Sequence, residues 1–180
     1  MGLDMYLFKK NHLTEEQEQE VKEAKAMIGA YERLYAEEKG RIQKMMWQKK
    51  CEEWQDKLSA IPEMSEVFYW RKANAIHAWF ERYLQREQGI EEIEDCEEYT
   101  IDRKCLEELV SDCKSVLAYS QDKCFKEVAA RYMPTQAGFF YGSTQYDEWY
   151  VHDLQETATE LASILSDTDN NDEFAYVAWW

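Results

Sequence analysis

Paired cysteine spacing is the first absence of consequence in this chain. Five cysteines are present, at positions 51, 96, 105, 113 and 124, and no two stand two residues apart in a C-x-x-C pair. An odd number without paired spacing argues against a disulfide framework and against a zinc knuckle, and predicts free, mostly buried thiols. No apolar run approaches the roughly 18 residues that a bilayer-spanning helix needs. The opening MGLDMYLFKK has neither the cationic start nor the apolar core of a secretory signal. The chain is therefore expected to be soluble and cytoplasmic, without a membrane partner. Catalytic signatures are missing as well: there is no G-x-S-x-G, no phosphate-cradling P-loop and no H-E-x-x-H. No catalytic residue, metal or cofactor is assigned on this basis, although an unrecognised enzyme stays among the alternatives.

Cations run out before the end. The last Lys or Arg is Arg131, whereas carboxylates continue to Glu173, and the net charge is −16. A field of that sign repels a nucleic-acid backbone, so direct binding to DNA or RNA is not expected. Two readings of the acidity stand side by side. An acidic surface keeps an aromatic-rich protein soluble, or it imitates DNA and occupies a nucleic-acid-binding host protein.

What the chain does contain is enough apolar material for a core, with 45% hydrophobic and 14% aromatic residues in 180. Residues 3–8 alternate, Leu3, Met5 and Leu7 opposing Asp4, Tyr6 and Phe8, which predicts a strand. Thr14 opens a capping-box arrangement before a charged helical stretch that reaches about Leu58. Its apolar positions, among them Val21, Ile28, Tyr35 and Ile42, follow helical spacing with Gly29 and Gly40 as weak points. That narrow seam predicts one long helix, a helical hairpin, or a self-associating coiled coil. Met45, Met46 and Trp47 read either as hairpin contacts or as a partner surface.

Beyond Pro62, Ser65 is positioned to cap a helix that carries YWRKANAIHAWF and continues to about Arg86. On such a helix Tyr69, Ala73, Ile76, His77, Phe80 and Leu84 share an apolar arc, Trp70 flanks it and Asn74 lies at its polar edge. An acidic stretch follows, with a brief extended piece at 99–101. Asp102 caps a helix to about Tyr119, and another spans 121–132. In MPTQAGFFYGSTQYDEWYVHDL turn chemistry dominates, and Thr144, three residues before Asp147, starts a helix to about Leu165. EFAYVAWW at the end reads as a strand.

MGLDMYLF, VFYWRKANAIHAWF, MPTQAGFFYGSTQYDEWYVHDLQET and the closing aromatic strand together resemble a family of small proteins encoded by bacteriophages and prophages, generally without an assigned activity. The resemblance covers the first ten residues and most of 64–180. Residues 11–60 depart from its shorter members and read as a helical insertion within a single domain, 1–180.

The expected fold is therefore α+β: a mainly helical domain whose N- and C-terminal strands pair antiparallel, with the long helical insertion added. The expected function is non-catalytic binding of a nucleotide-like small molecule or a host protein, with an anti-defence role. Candidate ligand-binding residues are Tyr69, Trp70, Asn74, His77, Tyr146 and Asp147, because aromatic faces with a few fixed polar groups suit such ligands. Each has a structural alternative. His77 can be a satisfied core histidine, and Asp147 can simply cap backbone N–H groups, whereas in a functional role it would meet His77 as a charge-assisted pair. Glu148, His152 and Asp153 form a weak metal-ligand spacing. Self-association through 14–59 completes the expectations.

Overall fold

Alternation in the terminal segments is realised as paired strands. In the computed structural model, which describes residues 2–180, β1 spans Asp4–Lys10 and β4 spans Phe174–Trp179. They pair antiparallel with Met5 opposite Ala178 and Leu7 opposite Tyr176. These inward residues are fully buried, as is Phe174. A short β3, Glu98–Ile101, joins the other side of β4, where Tyr99 meets Tyr176 and Ile101 meets Phe174. With β2, Met64–Arg71, the antiparallel sheet has the order β2-β1-β4-β3. The fold is α+β and mainly helical, as the periodicities predict.

The chain divides into two units, one formed by the residues up to Lys10 with Glu66–Trp180, the other by Asn11–Ser65. The second unit is a helical hairpin, α1 (Glu15–Glu37) and α2 (Arg41–Ser59). Thr14 accepts from the Gln17 backbone N–H while the Gln17 side chain accepts from the Thr14 N–H, closing the capping box. α1 continues through Gly29, and the break falls at 38–40, where Glu38 Oε1 accepts from the N–H groups of Lys39 and Gly40. The seam between the helices is thin. Val21 and Ala24 are buried, Tyr31 stacks on Trp47 at 6.0 Å, and α2 buries no residue.

In the first unit α3 (Asn74–Gln88), α4 (Arg103–Leu117), α5 (Phe125–Tyr132) and α6 (Glu148–Ser166) complete the core with the inner face of the sheet. Phe80 of α3 stacks on Tyr176 at 4.0 Å. Gly89 ends α3 at φ 72°, the left-handed cap position that glycine adopts without steric cost. Asp102 caps α4 by accepting from the Cys105 N–H, as its position predicts.

Three boundaries differ from expectation, the smallest at α5, which begins at Phe125 rather than at 121. The predicted helix from Ser65 is a strand up to Arg71, and the helix begins only at Asn74. Val67, Phe68, Tyr69 and Trp70 are β-branched or aromatic residues that fit a pleated surface, and β1 offers them a hydrogen-bonding partner. Phe68 and Trp70, two residues apart, meet edge to face at 4.5 Å. In α6 the cap is Asp147, not Thr144: Asp147 Oδ1 accepts from the N–H groups of Trp149 and Tyr150, while the Thr144 carbonyl is taken by the Thr135 hydroxyl. None of the helices is long and apolar enough to cross a membrane among the described residues.

Candidate functional site

The candidate residues split into two environments. His77 and Trp70 belong to the interior. His77 has no exposed surface; its Nδ1 lies 2.8 Å from the Tyr176 hydroxyl and its Nε2 lies 3.3 Å from the Tyr141 hydroxyl. A neutral imidazole has one N–H and one lone pair, and each hydroxyl can serve either. Burial pushes the His77 pKa down to about 4. Glu81 Oε1 is 3.7 Å from Nε2, but burial raises that carboxyl too, which reduces the charge available to hold an imidazolium. Asp147 does not pair with His77; it is occupied at the α6 N-terminus. The Trp70 indole N–H donates to the buried Thr157 hydroxyl at 2.9 Å.

Tyr69 stands on β2 rather than on a helix. Its hydroxyl donates to the Asp4 carboxylate, its ring lies 5.0 Å from that of Tyr6, and burial beside Asp4 raises its pKa to about 12. Tyr146 accepts from the Thr135 N–H at 3.3 Å and packs edge-on against Tyr150. Asn74 is 4% exposed and holds the long loop between α5 and α6. Its amide donates to the carbonyls of Tyr141 (3.0 Å) and Ser143 (2.7 Å), and its Oδ1 accepts from the Gln136 N–H (3.2 Å). All three bonds are made to backbone, so Asn74 shapes the loop.

That loop, the β2–α3 bend and the start of α6 enclose a cleft of about 290 Å³. Of the six candidates it includes Asn74 and Asp147. Its other lining includes side chains that the sequence reading passed over: Arg71, Lys72, Ser143, Gln145 and Trp149, together with Asp153, weighed before only as a metal ligand. Lys72 is the unusual member. It adopts φ 57°, a left-handed conformation costing roughly 1–2 kcal/mol in a non-glycine residue. Gly142 faces it at φ 88°, and a Cβ there would lie 3.2 Å from Lys72 Cβ. The bend is fixed by the Lys72 N–H donating to the Leu3 carbonyl and by the Asn74 N–H donating to the Lys72 carbonyl. Lys72 has no ion pair among the described residues.

Across the cleft, Asp153 is shifted upward to about 6, chiefly by burial and further by Glu156 and Asp147. Trp149 is 69% exposed at the same cleft. One cleft therefore offers a cation, a desolvated carboxyl and an accessible aromatic face. Among the described residues no three His, Cys, Asp or Glu groups converge as a metal would require. A comparison with protein-family models, curated proteins and solved structures finds no match.

The upward shift of Asp153 has a testable consequence. In the folded chain this carboxyl holds its proton to a higher pH than in the unfolded chain, so folding loses stability as pH rises from about 4 to about 6. Asp153→Asn is expected to raise stability at pH 7 by about 1–3 kcal/mol and to give no advantage below about pH 4. Urea denaturation at the two pH values measures the difference.

Proposed function

We propose that the protein acts by binding, and that the cleft at Lys72 takes a nucleotide-like small molecule. The observation that carries this reading is a lysine held in a strained left-handed conformation at the cleft edge without an ion pair. Backbone strain persists where the surroundings impose it, and it gathers at ligand sites. Lys72, with Arg71 beside it, supports an anionic group such as phosphate. Trp149 supports a stacked base, and Asp153 supports an amine or hydroxyl donor. The resemblance to phage and prophage proteins supports the host cytoplasm as the setting, where retention of such a molecule would serve an anti-defence role. A host-protein partner and the DNA-mimic alternative rest on the acidic surface, including Glu91, Glu92, Glu94 and Glu97 around an open groove.

The decisive substitution is Lys72→Gly, because glycine relieves the strained φ while removing the cation. Stability is expected to be unchanged or to rise by up to about 1 kcal/mol. Affinity for nucleoside phosphates is expected to fall by about ten- to a hundredfold, the loss of one charge-assisted hydrogen bond. Calorimetric titration with a panel of nucleoside mono- and diphosphates checks both the ligand class and the residue. No binding by the unsubstituted chain across the panel, or binding unchanged in Lys72→Gly, sinks the reading.

A further inference from the structure

The hairpin has opposite charge at its two ends. Residues 33–50 carry six cations against two carboxylates, a net of +4, whereas 11–32 and 51–65 together carry three cations against ten carboxylates, a net of −7. Apolar surface divides the same way but in complementary shapes. Near the turn, Leu34 and Met46 stand 42% and 58% exposed. At the other end an open groove of about 460 Å³ has Val21, Trp54, Leu58 and Ile61 along it and Glu20 and Glu23 among its lining.

Helical spacing puts projection and groove on one flank. On α2, Met46, Lys50, Trp54 and Lys57 recur at intervals of four, four and three, one helical stripe, and Ile61, just past the end of the helix, lines the same groove. Glu20, Glu23, Met27 and Leu34 follow the same rule on α1, with steps of three, four and seven. A seam that buries only Val21 and Ala24 leaves this flank without apolar cover of its own.

We infer that the hairpin pairs antiparallel with the hairpin of a second copy of the chain. A two-fold axis across the middle of the flank places each Leu34–Met46 projection in the other copy's Val21–Trp54–Ile61 groove. It also sets each cationic end beside an acidic end, twice over. The contact is isologous and closes at two copies, whereas parallel pairing would set like charges together. A second copy is the occupant because it necessarily carries both complements in this register. This inference is independent of the cleft and its ligand.

Sedimentation velocity on the full chain tests it. The chain is expected to dimerise, and more weakly at high salt. Glu20→Lys with Glu23→Lys, or Lys39→Glu with Lys50→Glu, should each weaken dimerisation by about tenfold or more, and the four together in one chain should recover most of it. Met46→Glu should weaken it independently, with circular dichroism confirming that the helices persist. A monomer at sub-millimolar concentration overturns the inference. A dimer indifferent to either charge set, or a fourfold variant no tighter than the two-residue sets, overturns it equally.

Discussion

Removing Glu173–Trp180 abolishes the folded state of the sheet-bearing unit. β4 lies between β1 and β3, so its loss strips hydrogen-bonding partners from both. It also removes Phe174, Ala175, Tyr176 and Ala178, all with zero exposure, from the centre of the core. Burial of a large apolar side chain contributes about 1.5–3 kcal/mol, and two such residues with their strand account for much of a typical total of about 5–15 kcal/mol. The truncated chain should aggregate and bind a hydrophobic dye, because Met5, Leu7 and Phe80 lose their cover. Loss of near-ultraviolet dichroism checks this, and a soluble truncation with an unchanged melting temperature would contradict the role given to β4.

The second large effect is expected at His77. His77→Ala leaves a cavity against Tyr141, Tyr176 and Trp180 and takes the partner from two tyrosine hydroxyls, one buried and one half-buried, for a combined cost of about 3–5 kcal/mol. Acid should act on the same residue without mutation. Its pKa is lowered to about 4, so the unfolded chain takes up this proton first as pH falls below about 6.5. The His77 contribution to stability is full above that pH and is lost between about 6.5 and 4, about 3 kcal/mol in total, while Asp153 acts in the opposite direction between about 6 and 4. Chemical denaturation of the unsubstituted chain and of His77→Gln across that range checks this in the difference between the two curves, from which the Asp153 contribution common to both cancels. If His77→Ala keeps full stability, the imidazole is not a core element.

His77 also shows how far a single chain of letters can be read. The inward direction of this residue follows from helical spacing with Ile76, Phe80 and Leu84 alone. Its satisfaction by Tyr141 and Tyr176, respectively 64 and 99 residues away, does not. Without those partners the same histidine is equally readable as a ligand contact. Asn74 is the parallel case, since its polar edge looks available until the loop carbonyls of Tyr141 and Ser143 close on it.

Short-range chemistry determined much of the fold. Alternation in LDMYLF and the aromatic and β-branched content of FAYVAW specify two strands, the Thr14 capping box and the Asp102 cap start their helices, and apolar spacing orients α4 and α6. These signals act within a few residues and so are written locally. The tertiary structure alone decided VFYW, a run compatible with a strand or a helix until β1 supplies edge hydrogen bonds. It also decided the site. Lys72 is an ordinary surface lysine in the sequence, and only the packing of Gly142, Leu3 and Asn74 around it imposes a left-handed backbone. Asp153 acquires its raised pKa from burial, which no local pattern encodes, and Trp149 joins both at one cleft because the loop pinned by Asn74 brings the start of α6 to the β2–α3 bend. Propensity and periodicity are properties of neighbouring residues, whereas strain, desolvation and convergence arise when distant segments occupy the same space.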